Sequence, residues 1–335
     1  MAITGATGQL GQALLERLLG LGDPTAVPNS AQGCSDGPVA GIRLRTVSRR
    51  PLPAKLRRAL GTQHTRADVR SLAAREAIEG ADLVFHLAAK VWLGRQRGSR
   101  DEMRSVNVDG TLNVLAARPS CTVFASSAVV YGAWPDNPLP MDEGCELRPN
   151  AQCPYAQDKS VAERVVAQGA RLWSVLRFCA VLGSHADQRV ARSLAGYRLA
   201  VPEVRGCAQA LQWLHEDDAV EALLRVGADL LGAGKASSQV LNVATKDWVG
   251  APDMARLAAS RVLRAPGRLV LAAAEAARWA GLSPFGADRA VLIGGPLALS
   301  PAKAAEVVSW EPRRGSEEVF TEALAAGWGQ APHNR

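Results

Sequence analysis

Residues 3–19 read "ITGATGQLGQALLERLL". Their reading turns on whether Gly5, Gly8 and Gly11 form a phosphate-binding loop or a glycine-rich turn ahead of an amphipathic helix. The spacing alone does not decide it, because glycine is the default residue wherever a strand turns sharply into a helix. The residues after the turn do read as a helix, since Gln12 to Gly20 puts Leu14, Leu15, Leu18 and Leu19 on one face. Between a strand and a helix the glycines acquire tasks: a tight turn, close approach of the backbone to a pyrophosphate, and helix-strand packing. The free N–H groups at the helix start would then face the phosphates.

Outward from this turn, short apolar or β-branched runs recur at "RLRTVS" (43–48), "LVFHLAA" (83–89), "TVFASSA" (122–128), "WSVLRFCAVLG" (173–183) and "QVLNVAT" (239–245). Helix-like segments at Leu52–Leu60, Leu72–Ile78, Arg104–Ala117, Lys159–Ala170 and Asp217–Ala228 separate most of them. The alternation predicts an α/β fold, a Rossmann-type doubly wound parallel sheet with a smaller C-terminal substrate domain. The expected division assigns 1–183 plus 213–245 to the dinucleotide-binding domain and 184–212 plus 246–330 to the smaller one. Residues 21–41, rich in Pro, Gly, Ser and Asp, read as a loop longer than a compact βα unit needs. Only "MAIT" precedes the glycines, where a strand usually has about five or six residues. The natural start is therefore expected upstream of Met1, and mass spectrometry finding Met1 or Ala2 at the native N-terminus would contradict that.

Bulk properties narrow the function classes. The chain has 335 residues, 47% of them hydrophobic, with no apolar run long enough to span a bilayer and no signal-peptide pattern. A cytoplasmic protein without a membrane partner is expected. The net charge of +7 is spread along the chain rather than gathered in a block, which fits an Arg-rich surface better than nucleic-acid binding and is compatible with a phosphate-bearing ligand. Six cysteines without C-x-x-C spacing and five histidines without an H-x-x-x-H pair signal no metal site.

Three further stretches carry chemistry. After the second strand stands "SRR", Ser48-Arg49-Arg50, where a carboxylate would otherwise take an adenosine ribose. Guanidinium groups there pair with a 2'-phosphate, so NADP(H) is expected over NAD(H), which stays possible; the alternative is two solvent-facing arginines. "PYAQDKS" sets Tyr155 and Lys159 on one helix face, and an adjacent ammonium is what stabilises a phenolate. "FASSAVVYG" puts Ser126 and Ser127 at a strand end, where parallel sheets carry ligands.

With these residues in order, the chain resembles an extended short-chain dehydrogenase/reductase of the NAD-dependent epimerase/dehydratase family. The matching stretches are "TGATGQLG" (4–11), "ADV" (67–69), "VFHLAA" (84–89), "NVDGTLNVL" (107–115), "SSAVVYG" (126–132), "YAQDK" (155–159), "LRFCAVLG" (176–183), "WLHEDDAVEALL" (213–224) and "LNVA" (241–244). The resemblance implies Tyr155 as catalytic acid/base, Lys159 as the residue that lowers its pKa and binds the nicotinamide ribose, and Ser127 as the substrate-oxygen ligand. It implies Gly5, Thr7, Gly8, Gln9, Leu10 and Gly11 as the cofactor loop. Asp68 and Val69 would contact adenine, and Leu87, Ala88 and Ala89 would line the diphosphate and ribose. Asn107 would support a proton relay or the cofactor-side backbone, its competitor being a simple helix cap. A homodimer through the helices around Arg104–Ala117 and Lys159–Ala170 is implied as well.

Two departures matter. Members that bind nucleotide-sugars often carry Asn where this chain has Ala180, and the Arg49/Arg50 pair replaces the acidic residue of NAD-retaining epimerases. Both favour a reductase or dehydrogenase acting on a small-molecule carbonyl or alcohol, with a nucleotide-sugar epimerase or dehydratase as the alternative and a non-catalytic dinucleotide-binding regulator as the lesser one. The resemblance makes His215-Glu216-Asp217-Asp218 a structural turn opening a helix rather than an acid/base cluster. The helical stretch over 254–282 is expected to be core and lid. Trp92, Trp134, Trp213 and Trp248 read as packing residues or as lining for a ring-bearing substrate.

Overall fold

The computed structural model describes residues 1–21, 42–60, 63–91, 99–232, 234–283 and 285–326. Nearly all of the 21–41 segment, and Trp92, lie outside them. Buried apolar runs become strands: β1 (Ala2–Thr4), β2 (Arg45–Ser48), β3 (His64–Arg66), β4 (Leu83–His86), β5 (Cys121–Ser127) and β6 (Leu172–Phe178). After them come β7 (Ala180–Leu182), β8 (Ala200–Val204), β9 (Ala210–Leu211), β10 (Trp213–His215), β11 (Gln239–Val243), β12 (Arg261–Ala265) and β13 (Pro296–Leu297). Seven of them form one sheet in the order β11-β6-β5-β4-β1-β2-β3, every pair parallel.

Short as it is, β1 is wholly buried and pairs on both sides, with Thr4 opposite Val47 of β2 and His86 of β4. The chain runs outward through β2 and β3 on one side, then crosses back to β4 and continues through β5 and β6 on the other. The carboxyl ends of β1 and β4 therefore flank the point where strand order reverses, the place where such sheets bind ligands. The glycine turn and Leu87–Ala89 emerge there side by side.

Three local outcomes differ from the sequence reading. The strand β3, "HTR", has no apolar run to announce it and sits at the sheet edge. The expected helix Arg104–Ala117 starts earlier and is divided into Ser99–Arg104, a π-helical turn Ser105–Asp109 and Gly110–Ala116. Gly110 faces Val69 so closely that a Cβ would lie 2.6 Å from Cγ1. The helix expected from Lys159 begins earlier, at Pro154, a favoured first-turn position for proline, and so takes in Tyr155 with Lys159 as the spacing in "PYAQDKS" predicts.

The main core lies between the sheet and its helices and includes Phe85, Tyr131, Phe178, Leu214 and, from near the C-terminal end, Trp310. A second cluster gathers Leu182, Leu194, Val201, Met254 and Phe320, beside the two-stranded pairs β8/β12 and β9/β13. The helix Gly267–Trp279, expected as core and lid, buries none of its residues. Leu269 and Trp279 are 55% and 61% exposed, while Val270, Leu271 and Ala274 share the half-covered side with Glu275 and Arg278, which pair with each other, Glu275 also accepting from the Ala287 N–H at 3.1 Å. Among the described residues no helix is long and apolar enough to cross a membrane.

Trp310 is fully buried and its indole N–H donates to the Asp218 carbonyl at 3.0 Å. Trp310→Ala is expected to cost about 3–5 kcal/mol in urea unfolding, whereas Trp279→Ala should stay within about 0.5 kcal/mol of wild type.

Candidate active site

The glycine turn is built by exclusion of side chains. Gly5 has φ +73°, and a Cβ there would lie 2.6 Å from the Ala88 nitrogen and 2.7 Å from Leu87 C. Gly11 packs its helix on the turn, since a Cβ would lie 2.3 Å from the Gly5 carbonyl oxygen. Gly8 caps the helix Gln9–Leu18 without a side-chain hydrogen bond, so no side chain of the cap fills the N–H groups of the first turn. A backbone cradle at a helix N-terminus, with no Cβ in the way, fits a pyrophosphate.

The side chains around this cradle are not all turned to it. Gln9 donates at 3.3 Å to the Val181 carbonyl and to Glu216, and Leu10 packs against the main core. The buried carboxylate of Glu216 also accepts from Ser184 at 2.8 Å and meets His185 Nδ1 at 2.9 Å. His185 Nε2 lies 3.4 Å from Glu16. The hydrogen bond with Glu216, and then the charges of Glu216 and Glu16, raise the His185 pKa against the opposing effect of burial. Thr7 contributes its carbonyl, which accepts from Arg50 Nη2 at 3.1 Å and Gln12 Nε2 at 3.2 Å.

At the end of β5, Ser127 is half-buried, and its Oγ accepts from the Val129 N–H at 3.5 Å. Ser126 faces the other way and donates to buried Glu163, which also holds Arg177 at 2.7 Å. Tyr155 is half-buried in the first turn of Pro154–Gly169. Lys159, 2% exposed, places Nζ 5.8 Å from the Tyr155 ring centroid and 4.4 Å from that of Phe124. It donates to the Ala125 carbonyl at 2.6 Å. Burial pushes Lys159 down to about 7 and Tyr155 up to about 12.

Asn107 is not a helix cap. It lies in the π-helical turn, its Oδ1 accepts from the Lys90 N–H at 2.8 Å, and its Nδ2 donates to the Lys90 carbonyl at 3.0 Å. It therefore fixes the chain leaving β4, where Leu87, Ala88 and Ala89 are half-buried. Behind it runs a buried chain in which Thr111 donates to the Asn107 carbonyl at 2.7 Å and meets His86 Nε2 at 3.0 Å, while His86 Nδ1 meets Thr4 at 2.8 Å.

On the β2 side, Arg49 and Arg50 are exposed. Arg49 lies 3.8 Å from Glu102, which also pairs with Lys90. The Asp68 carboxylate is forked by Arg70 at 2.8 and 2.9 Å, and this hydrogen-bonded pair lowers its pKa. Val69 is buried, its carbonyl accepting from Asn113 at 2.8 Å.

The NAD dependent epimerase/dehydratase family matches residues 1–244. The chain belongs to this family. An uncharacterized protein of Mycobacterium tuberculosis is 32% identical over 200 residues, covering 56% of this chain and 51% of the relative, so the chain spans about half the length of the curated relatives it matches. A 2-alkyl-3-oxoalkanoate reductase of Shewanella oneidensis is 30% identical over 176 residues, 49% of this chain and 37% of that protein. In fold, the chain is similar to MoeE5 in complex with UDP-glucuronic acid and NAD, with TM-score 0.68, 24% identity and 97% of each chain covered. It is also similar to the dTDP-glucose 4,6-dehydratase DesIV of Streptomyces venezuelae, with TM-score 0.67, 15% identity, and 97% and 95% covered.

Within the family frame, the His215–Asp218 stretch is the turn expected: His215 caps Glu216–Leu231 by accepting from the Asp217 N–H at 3.1 Å, and Asp218 accepts from the N–H groups of Arg313 and Arg314 at 3.2 and 3.4 Å. Ala180 is exposed in β7. Trp134 donates to the Arg148 carbonyl at 2.6 Å and Trp213 stacks on Phe320 at 5.6 Å, each with its own local partner. The sequence reading missed Arg289, whose guanidinium carbon sits 5.2 Å from the Tyr155 ring centroid. It also missed Glu102. No spacing in the sequence ties either to the site.

His185 yields a pH prediction. A histidine whose folded pKa lies above its unfolded value contributes stability that is complete below about pH 6.5 and is lost as pH rises through the folded value. The stability gap between wild type and H185Q in urea should be larger at about pH 5.5 than at about pH 9.

Proposed function

We propose that the protein is an NADP(H)-dependent oxidoreductase of the extended short-chain type that interconverts a substrate carbonyl and alcohol. The observation that carries this reading is Tyr155 sharing a helix with buried Lys159, 5.8 Å from ring to ammonium, on the same sheet edge as Ser127 and the glycine cradle. Gly5, Gly8 and Gly11 would hold the diphosphate against the helix N-terminus, with Leu87, Ala88 and Ala89 lining the other wall. When bound, the nicotinamide supplies or accepts the hydride at the substrate carbon.

The chain's own residues manage the oxygen and its proton. Ser127 Oγ would donate to the substrate oxygen and fix the carbonyl carbon in place. In reduction Tyr155 Oη gives its proton to that oxygen, and in oxidation the phenolate takes it back. Lys159, held by burial near neutrality, exchanges a proton at physiological pH and offers positive charge to the phenolate. Asn107 keeps the Lys90 backbone, and with it the cleft wall, in register.

Arg50 supports the phosphorylated cofactor, because its guanidinium already reaches the Thr7 carbonyl in the glycine turn with Arg49 beside it. A nucleotide-sugar epimerase or dehydratase with retained NAD is the second reading. It is favoured by the likeness to the MoeE5 complex and disfavoured by Ala180 and the basic pair.

Cofactor-stripped protein titrated by fluorescence should bind NADPH at least roughly tenfold tighter than NADH, and R50A should remove most of that preference. Tight NADH binding, or NAD carried through purification, would shift the reading to the epimerase or dehydratase. Y155F should lower turnover on an accepted carbonyl substrate by about 10²–10⁴-fold while keeping cofactor affinity.

A further inference from the structure

We propose that Arg289 is a positioning residue for Tyr155, a second cation, delivered by the C-terminal segment, that stabilises the phenolate alongside Lys159. The inference rests on Tyr155 being the acid/base. Arg289 belongs to the short helix Ala287–Ala290, and its guanidinium carbon is 5.2 Å from the Tyr155 ring centroid, nearer than the 5.8 Å of Lys159 Nζ. A guanidinium within about 6 Å of an aromatic ring interacts with it through the ring's charge distribution.

The guanidinium is anchored rather than adrift. Its side chain is 16% exposed and Nη2 donates to the Val91 carbonyl, on the chain leaving β4. The short helix is itself fixed by Glu275, which accepts from the Ala287 N–H at 3.1 Å, and by Asp288, which accepts from the Gly286 N–H at 3.3 Å.

The other charged and titratable groups around Tyr155 make this second cation consequential. Lys159 is committed to the Ala125 carbonyl and the Phe124 ring, and burial takes it to about 7, so at neutral pH its charge is only partly present. Arginine keeps its charge throughout this range. Asp288 lies 4.0 Å from Arg289 Nε and offsets part of that charge. Asp158 is engaged with Asn107 at 3.4 Å and Arg104 at 3.7 Å. The thiol of Cys153, the residue that precedes the tyrosine's helix and makes no side-chain cap bond to it, is pushed up by burial and is neutral at physiological pH. Against the burial that raises Tyr155, the charge of Arg289 acts to lower it, and the permanent part of the positive field at the phenol comes from outside the sheet domain.

The chain holds three tyrosines, Tyr131, Tyr155 and Tyr197, so the full-length protein labelled with 3-fluorotyrosine should give three ¹⁹F resonances, the Tyr155 signal being the one missing from Y155F. Fluorination acidifies the phenol and brings its titration toward pH values that the folded protein tolerates. R289Q is expected to raise the Tyr155 midpoint by roughly one pH unit, R289K to restore most of it, and D288N to move it down. A Tyr155 midpoint unchanged in R289Q, with the Tyr131 and Tyr197 signals as in wild type, overturns the inference. If R289Q does not fold, an unchanged midpoint in D288N does so instead. Retention of full turnover by Y155F would remove the acid/base reading without altering these titrations, so the two failures are distinguishable.

Discussion

The structure depends on a place where no side chain fits. The turn after β1 passes so close to the chain leaving β4 that a single Cβ on Gly5 would enter the backbone of Leu87 and Ala88, and one on Gly11 would enter the turn itself. This contact fixes how closely the turn and the chain leaving β4 approach, packs the first helix on the turn, and leaves its first-turn N–H groups without a capping side chain. A residue with φ of +73° that also lacks room for a Cβ meets two independent demands, and only glycine satisfies both.

Around it the protein spends its buried polar groups on rigidity. The line Thr4, His86, Thr111, Asn107 and Lys90 crosses from β1 through β4 into the π-helical turn and back to the cleft wall. His86 is driven down to about 3 by burial and by the nearby Lys159, so it serves this line as a neutral ring, donor on one nitrogen and acceptor on the other. Ser126, Glu163, Arg177 and Tyr131 form a second connected set beneath β5. Such networks are costly when incomplete and confer a defined geometry when every member is paired. Here they hold the strand ends that carry Ser127 and the backbone beside Asn107.

Much of the sheet was legible because buried parallel strands are written as apolar runs: β4, β5, β6 and β11 announce themselves in that way. β3 did not, since an edge strand of His, Thr and Arg has one neighbour and no apolar face to display. Tyr155 and Lys159 were legible because one helix turn brings them together. Arg289 was not, because it reaches Tyr155 only through tertiary packing of a distant short helix. The helix Gly267–Trp279 shows a different limit. Its apolar content was plain, but its half-covered Val270, Leu271 and Ala274 share their side with Glu275 and Arg278, whose interactions with each other and with the Ala287 N–H no periodicity reveals.

The Asp218 region carries a consequence for how the chain is made. Its backbone carbonyl receives the Trp310 indole and its carboxylate receives the N–H groups of Arg313 and Arg314, so the last layer over the central helix Glu216–Leu231 comes from residues translated long after that helix. A nascent chain emerging from the ribosome can pair its early strands, yet it leaves the seat of Trp310 open until the 92 residues that separate Asp218 from Trp310 have followed. Contacts so distant in sequence slow folding and prolong exposure of unfinished apolar surface, so the apolar surface that Trp310 covers is completed late.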